Sequence, residues 1–234
     1  MQLPSEVPVM TLPSATLFPQ ALLPLYIFEP RYRHMLADML QGQRMFSVAM
    51  QKPGLTREAP CSVAGLGLIR VSVDHEDGTS HLILQGLARV ELVGTVQTRP
   101  YRVAQIRALA PAVMDNLHID ALLAKVHELV EQRLQYGPFP FPFSTFQKPP
   151  AGGKKGGKSG KSAAAHTFSP REILEYLHAL PDAEQVADLV SCALLPGAVE
   201  RQTILETVPL EDRLRHLVQF LGEEVRRCRE DSSK

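Results

Sequence analysis

The chain has 234 residues, enough to bury a core for one large domain or two modest ones packed together. Its 25 basic and 25 acidic residues cancel, which excludes a global field pulling it toward nucleic acid or an anionic membrane; any such binding has to be local. Cys61, Cys192 and Cys228 lie far apart and form no C-x-x-C pair, which argues against a zinc knuckle, a redox pair or a disulfide framework and fits a reducing cytoplasm.

Taken in chain order, the N-terminus lacks the basic start and apolar run of a secretory signal. Val7 to Phe28 carries no charge, yet Pro8, Pro13, Pro19 and Pro24 each remove a backbone donor that a helix in lipid would have to satisfy otherwise. Short strands and turns are expected there, not a membrane span. Pro30 suits a first helical turn, and Tyr32, Met35, Leu36, Met39 and Leu40 recur at helical spacing until Gly42 can stop the helix. Strands are predicted at 45–50, 63–73, 80–86, 88–96 and 101–109, each short, rich in Val, Ile and Leu, and bounded by turn residues. Asp77-Gly78 marks a hairpin between two of them.

The period then changes. Ile119, Leu122, Leu123, Val126, Leu129, Val130 and Leu134 form one apolar face of a long helix. "YGPFPFPFSTFQKPP" (136–150) is aromatic and proline-rich, and "AGGKKGGKSGKSAAA" (151–165) is low-complexity text that cannot build a packed core. At "SPRE", Ser169 offers an N-cap and Glu172 a capping-box partner. Helical apolar spacing continues through Ile173 to Leu177, Val186 to Leu194 and Leu214 to Val225. The expected organisation is a β-rich barrel subdomain (1–110), a long helix with the Pro/Phe segment (111–147), a flexible linker (148–168) and a helical bundle (169–230), together one α+β domain.

Two strings imitate catalytic motifs. "GGKKGGKS" (152–159) fits the P-loop pattern, but a P-loop needs a strand before it and a helix after it to present amides to phosphate. Here a proline tract precedes and more linker follows, so a solvated spacer is expected and Lys158 is not assigned to ATP. "HELVE" (127–131) has Glu131 where a zinc helix needs its second histidine. No nucleophile elbow or activated cysteine stands out, so no catalytic residue, cofactor or metal site is expected.

One stretch is far more distinctive. "LFPQALLPLYIFEPRYRHMLADML" (17–40) resembles the opening of the substrate-binding domain found at the N-terminus of Lon proteases and in stand-alone relatives. "GLGLIRV" (65–71), "DGTSHLILQGLARVEL" (77–92) and "YRVAQI" (101–106) are similar to that family's barrel strands, and 185–195 with 204–225 to its closing helices. The resemblance covers about Val7 to Glu230 without the linker. It implies a PUA-like pseudobarrel followed by a helical bundle, and a non-catalytic module that binds polypeptide clients or a protein partner, possessing neither the ATPase nor the protease domain of the full enzyme. A groove between barrel and bundle is the expected place for an extended client, held by apolar contact and strand-edge pairing.

Within this frame Glu29, Pro30, Arg31 and Tyr32 are expected to hold the fold: Pro30 sets the helix entry, Glu29 faces the helix amides and Arg31 pairs with a carboxylate. Phe139, Phe141, Phe143 and Phe146 are the candidate peptide-binding residues, because alternating proline keeps their rings available; packing back onto the barrel is the alternative. RNA binding, known for PUA-like barrels, is the rival function, but its basic footprint is missing outside the linker.

Overall fold

The structure, a computed structural model, describes residues 3–55, 58–110, 117–136 and 170–233. The strands β1 (Glu6–Leu12), β2 (Leu22–Ile27), β3 (Met45–Met50), β4 (Val63–Asp74), β5 (Ser80–Gln97) and β6 (Arg102–Leu109) form one sheet in the order β2-β5-β4-β3-β1-β6. β5 also pairs with β6, so β5, β4, β3, β1 and β6 close on themselves in a barrel-like sheet. β2 is left over, paired along the first half of β5. The pairings are antiparallel except β1 with β3, whose connection carries β2 and the helix α1 (Pro30–Gln41) as the crossover a parallel pair requires. The expected α+β class with a barrel-like sheet is what the chain forms.

Two expected strands, 80–86 and 88–96, are one strand of 18 residues. Leu66 pairs with Ala88 and Gly67 with Gly86, so Leu87 is an unpaired extra residue, a bulge that bends the strand without ending it. Gly86 resembled a turn signal in the sequence, but its role is close approach. A Cβ there would lie 1.9 Å from the carbonyl oxygen of Phe18, and one on Gly65 would lie 1.9 Å from that of Leu17. The dipeptide Leu17-Phe18 therefore rests directly on the sheet backbone. Its two side chains diverge, Leu17 into the barrel core with Met10, Phe46 and Leu84, and Phe18 into the core of the helices.

Those helices are α2 (Leu117–Leu134), α3 (Pro170–His178), α4 (Ala183–Leu194), α5 (Ala198–Glu206) and α6 (Leu210–Ser232). Val126, Leu129 and Val130 of α2 share a core with Val186 and Val190 of α4 and with Leu214, Leu217, Leu221 and Val225 of α6, the apolar positions that helical spacing marked. α5 was not foreseen, because its buried residues include Arg201 and Gln202 and leave no apolar stripe. Asp182 caps α4 by accepting from the amide of Glu184 at 2.9 Å. Ser169, the expected cap of α3, and the expected linker lie outside the described residues.

Between barrel and bundle the described junction is packed, not open. Arg89 of β5 donates through both terminal nitrogens to the carboxylate of Asp188 on α4, and both residues are buried. Arg213 of α6, fully buried, stands 3.6 Å from the same carboxylate and donates to the carbonyls of Thr207 and Val208. Arg201 of α5 reaches the loop between β1 and β2, donating to the carbonyl of Ser14 at 3.0 Å and the hydroxyl of Thr16 at 3.3 Å. Gln202 donates to the carbonyl of Val63 at 2.9 Å.

Three outcomes are expected in urea or thermal unfolding. Gly86→Ala costs about 1–3 kcal/mol, since the clash is with backbone and cannot be relieved by a rotamer, whereas Gly222→Ala on open helix surface gains about 0.5–1 kcal/mol. Asp188→Ala costs about 3–5 kcal/mol by leaving two buried guanidinium groups short of a partner, and Arg89→Met with Asp188→Leu together cost less than the single change. The His127 ring packs 4.3 Å from that of His178, and burial, then the neighbouring ring, push its pKa below the usual histidine value. A lowered folded pKa means that the stability is complete above the unfolded value of about 6.5 and is lost as pH falls through the folded one. Acidification below about pH 6.5 should thus lower the melting temperature less in His127→Phe than in the wild type.

Candidate functional site

The helix that follows β2 is anchored as a unit. Tyr32 is buried, accepting from the amide of Thr11 and donating to its carbonyl, both at 3.1 Å, which ties α1 to β1. Tyr101 donates to Asp38 at 2.6 Å; burial and then this bond push its pKa up to about 12. Pro30 occupies the first turn, as the sequence implied. Glu29 departs from expectation. It is the N-cap residue, but its side chain makes no cap hydrogen bond and instead accepts from Arg31 at 2.9 Å. Arg31 also pairs with Glu58 and lies 4.4 Å above the Tyr32 ring. The stronger charge-assisted partner thus outcompetes the helix amides for the carboxylate.

With α1 fixed, β2 presents two unlike faces. Leu23, Leu25 and Ile27 turn to the barrel core, and Pro24 and Tyr26 turn outward. Register places Tyr26 opposite His81 and His81 opposite Val73, and in the next row Pro24 opposite Ile83 and Ile83 opposite Val71. Tyr26 is 49% exposed, Val73 53% and Phe28, just beyond the strand, 58%. The rings of Tyr26 and Phe28 stack at 5.8 Å, and the His81 ring lies 4.7 Å from that of Tyr26. This is a contiguous apolar and aromatic face across three strands, unlike the isolated exposed side chains of an ordinary surface.

The face adjoins a strand edge. The amide of Gly86 donates to the carbonyl of Ala21 at 2.8 Å, so alternation directs the polar groups of Leu23, Leu25 and Ile27 toward β5 and those of Leu22, Pro24 and Tyr26 away from it. Pro24 has no donor, which agrees with its outward position. Among the described residues no strand pairs with this outer edge. Behind the β4–β5 hairpin, a hollow of about 580 Å³ opens between Arg33, His34, Ala37 and Leu40 of α1 and Asp74 and Ser80.

The face is built of apolar and aromatic side chains. Burial raises the thiol pKa of Cys61, Cys192 and Cys228, which disfavours the thiolate a cysteine nucleophile needs. Among the described residues no group of three or more His, Cys, Asp or Glu side chains gathers as a metal site, and His127 of "HELVE" meets His178. No helix among them is long and apolar enough to cross a membrane. Phe139, Phe141, Phe143 and Phe146 lie outside the described residues. Sequence reasoning passed over Tyr26, Phe28, Val71, Val73 and Ile83. The available signal was that β2, β4 and β5 are apolar at consecutive positions, more than one buried face requires.

A sequence profile of the ATP-dependent protease La (LON) substrate-binding domain matches residues 6–223. The Lon protease of Dictyoglomus thermophilum is 21% identical over 226 residues, covering 95% of this chain and 25% of that protein. Lon protease 2 of Herpetosiphon aurantiacus is 26% identical over 225 residues, covering 94% and 24%. The chain thus spans about a quarter of the length of the curated relatives it matches. Among solved structures, the N-terminal domain of the Mycobacterium avium complex Lon protease superposes with a TM-score of 0.66 at 17% identity, covering 93% of this chain and 98% of that one. A Lon N-terminal domain protein from Xanthomonas campestris gives 0.60 at 18% identity, covering 92% and 98%. With the profile running through both the barrel and the bundle, the chain belongs to the LON substrate-binding domain family.

Proposed function

We propose that the chain is a non-catalytic polypeptide-binding module that takes extended, apolar-rich segments of client proteins on the outer face of β2, β5 and β4 and delivers them to a separate protease or chaperone. The observation that carries the reading is the exposed Tyr26, Phe28, Val71, Val73 and Ile83 surface lying beside an edge of β2 with which no strand pairs among the described residues. An extended chain laid along that edge gains main-chain hydrogen bonds from Leu22 and Tyr26 and buries alternate side chains against the face. Membership of a substrate-binding family supports the same reading. It moves the docking place from the barrel–bundle junction, which Phe18, Arg89, Asp188 and Arg213 fill. Phe139, Phe141, Phe143 and Phe146 are proposed as a second apolar contribution to the same clients.

A fluorescently labelled, permanently unfolded polypeptide titrated with the full chain should bind saturably and change little between low and physiological salt. Tyr26→Ser with Phe28→Ser should weaken binding about 10-fold or more, corresponding to about 1.4 kcal/mol or more. Unchanged affinity in that double variant overturns the assignment of the face, and a steep salt slope in the wild type would favour the phosphate-dominated binding of nucleic acid. Removal of residues 137–165 should weaken binding further; no change removes the phenylalanines from the site.

A further inference from the structure

On the rim of this face two imidazoles meet. Nε2 of His75 and Nδ1 of His81 are 2.6 Å apart, with the rings at 88° to each other and both residues exposed. The arrangement is held from both sides. His75 follows β4 directly, and its amide donates to the carbonyl of Thr79 at 2.8 Å while its own carbonyl accepts from Gly78 at 2.9 Å; Gly78 takes a φ of +77°, closing the turn. His81 belongs to β5 and is backed by the Tyr26 ring at 4.7 Å. The same hairpin carries Asp74, Glu76 and Asp77, so the local charge favours a cation, with Arg33 against Gly78 as the opposing charge. Asp74 accepts from Ser80 and Asp77 from Thr79, which keeps these two carboxylates engaged beside the imidazoles.

We propose that His75 and His81 form a two-imidazole site for a divalent transition-metal ion of the zinc, nickel or copper class, completed by water. Imidazole is the ligand these ions prefer, and affinity at such a site rises toward Cu²⁺. Two nitrogens at about 2.0–2.1 Å from a tetrahedral ion stand about 3.4 Å apart, so the two nitrogens separate by less than about 1 Å while the rings tilt to aim both lone pairs at the ion. Each ring ligates as a neutral tautomer. Whichever ring donates in the His75–His81 contact gives that proton to solvent on ligation and takes one at its far nitrogen, so each nitrogen facing the ion offers a lone pair. The metal site rests on the two imidazoles and not on the docking reading, and stands if docking fails.

The test is titration of the full chain with Zn²⁺ or Ni²⁺ alone, followed by calorimetry and by the ring-nitrogen resonances of the histidines. The expected result is one tightest class of site, with His75 and His81 perturbed first. In His75→Gln with His81→Gln that class should weaken at least about 10-fold, since even outer-shell partners cost that much. Unchanged affinity in the double variant, or first perturbation at other histidines, overturns the proposal. Melting of the metal-free double variant at the wild-type temperature shows that the comparison is between folded proteins, and His81→Gln alone gives a second reading.

Discussion

The buried pair of Arg89 and Asp188 is the constraint on which the rest of the molecule depends. It joins a β-strand to a helix 99 positions along the chain, and both partners are out of water. Apolar packing alone would permit the bundle to slide or tilt over the barrel, because hydrophobic contact is non-directional. A two-point guanidinium–carboxylate contact is directional, and Arg213 approaching the same carboxylate orients a second helix against it. Desolvating these charges is costly, so the contribution is to geometry more than to net stability. Around this point Arg201 and Gln202 extend the polar seam to the β1–β2 loop and β4.

Leu17-Phe18 is the apolar counterpart of that seam. Its two consecutive side chains enter two different cores. The contact requires main chain to lie on main chain, which is why Gly65 and Gly86 face it. The consequence reaches the surface. With the preceding loop pressed onto the sheet, β2 emerges along β5 with its core-facing residues committed, and Tyr26 and Phe28 have only the outward side left.

Much of this was legible in the sequence because it obeys local rules. The α1 and α2 stripes, the Asp77-Gly78 hairpin and strands β3, β4 and β6 follow from spacing and turn chemistry alone. What escaped depends on partners distant in the chain. The bulge at Leu87 is defined by which residues of β4 it fails to pair with, and nothing in "LILQGLARV" distinguishes a bulge from a turn. α5 is held by polar side chains whose acceptors lie far away, so it has no apolar period to read. Glu29 prefers Arg31 and Glu58 lies across from it, a competition that only the folded loop creates. The exposed face was hidden for a related reason: alternation shows that a strand has two apolar sides, but only the barrel's closure decides which side is covered.

Pro24 sits at the middle of the β2 edge that no strand covers among the described residues, and its missing amide has an asymmetric effect on what can pair there. Two copies of this strand aligned antiparallel about Pro24 would bring together two carbonyls with no donor between them, a double loss at the centre of the new ladder. A foreign strand with an ordinary residue at that position incurs the loss once. The proline therefore filters by identity of sequence: it weakens self-assembly into continuous sheets more than it weakens acceptance of another chain, and lets an apolar edge stay open in a crowded solution.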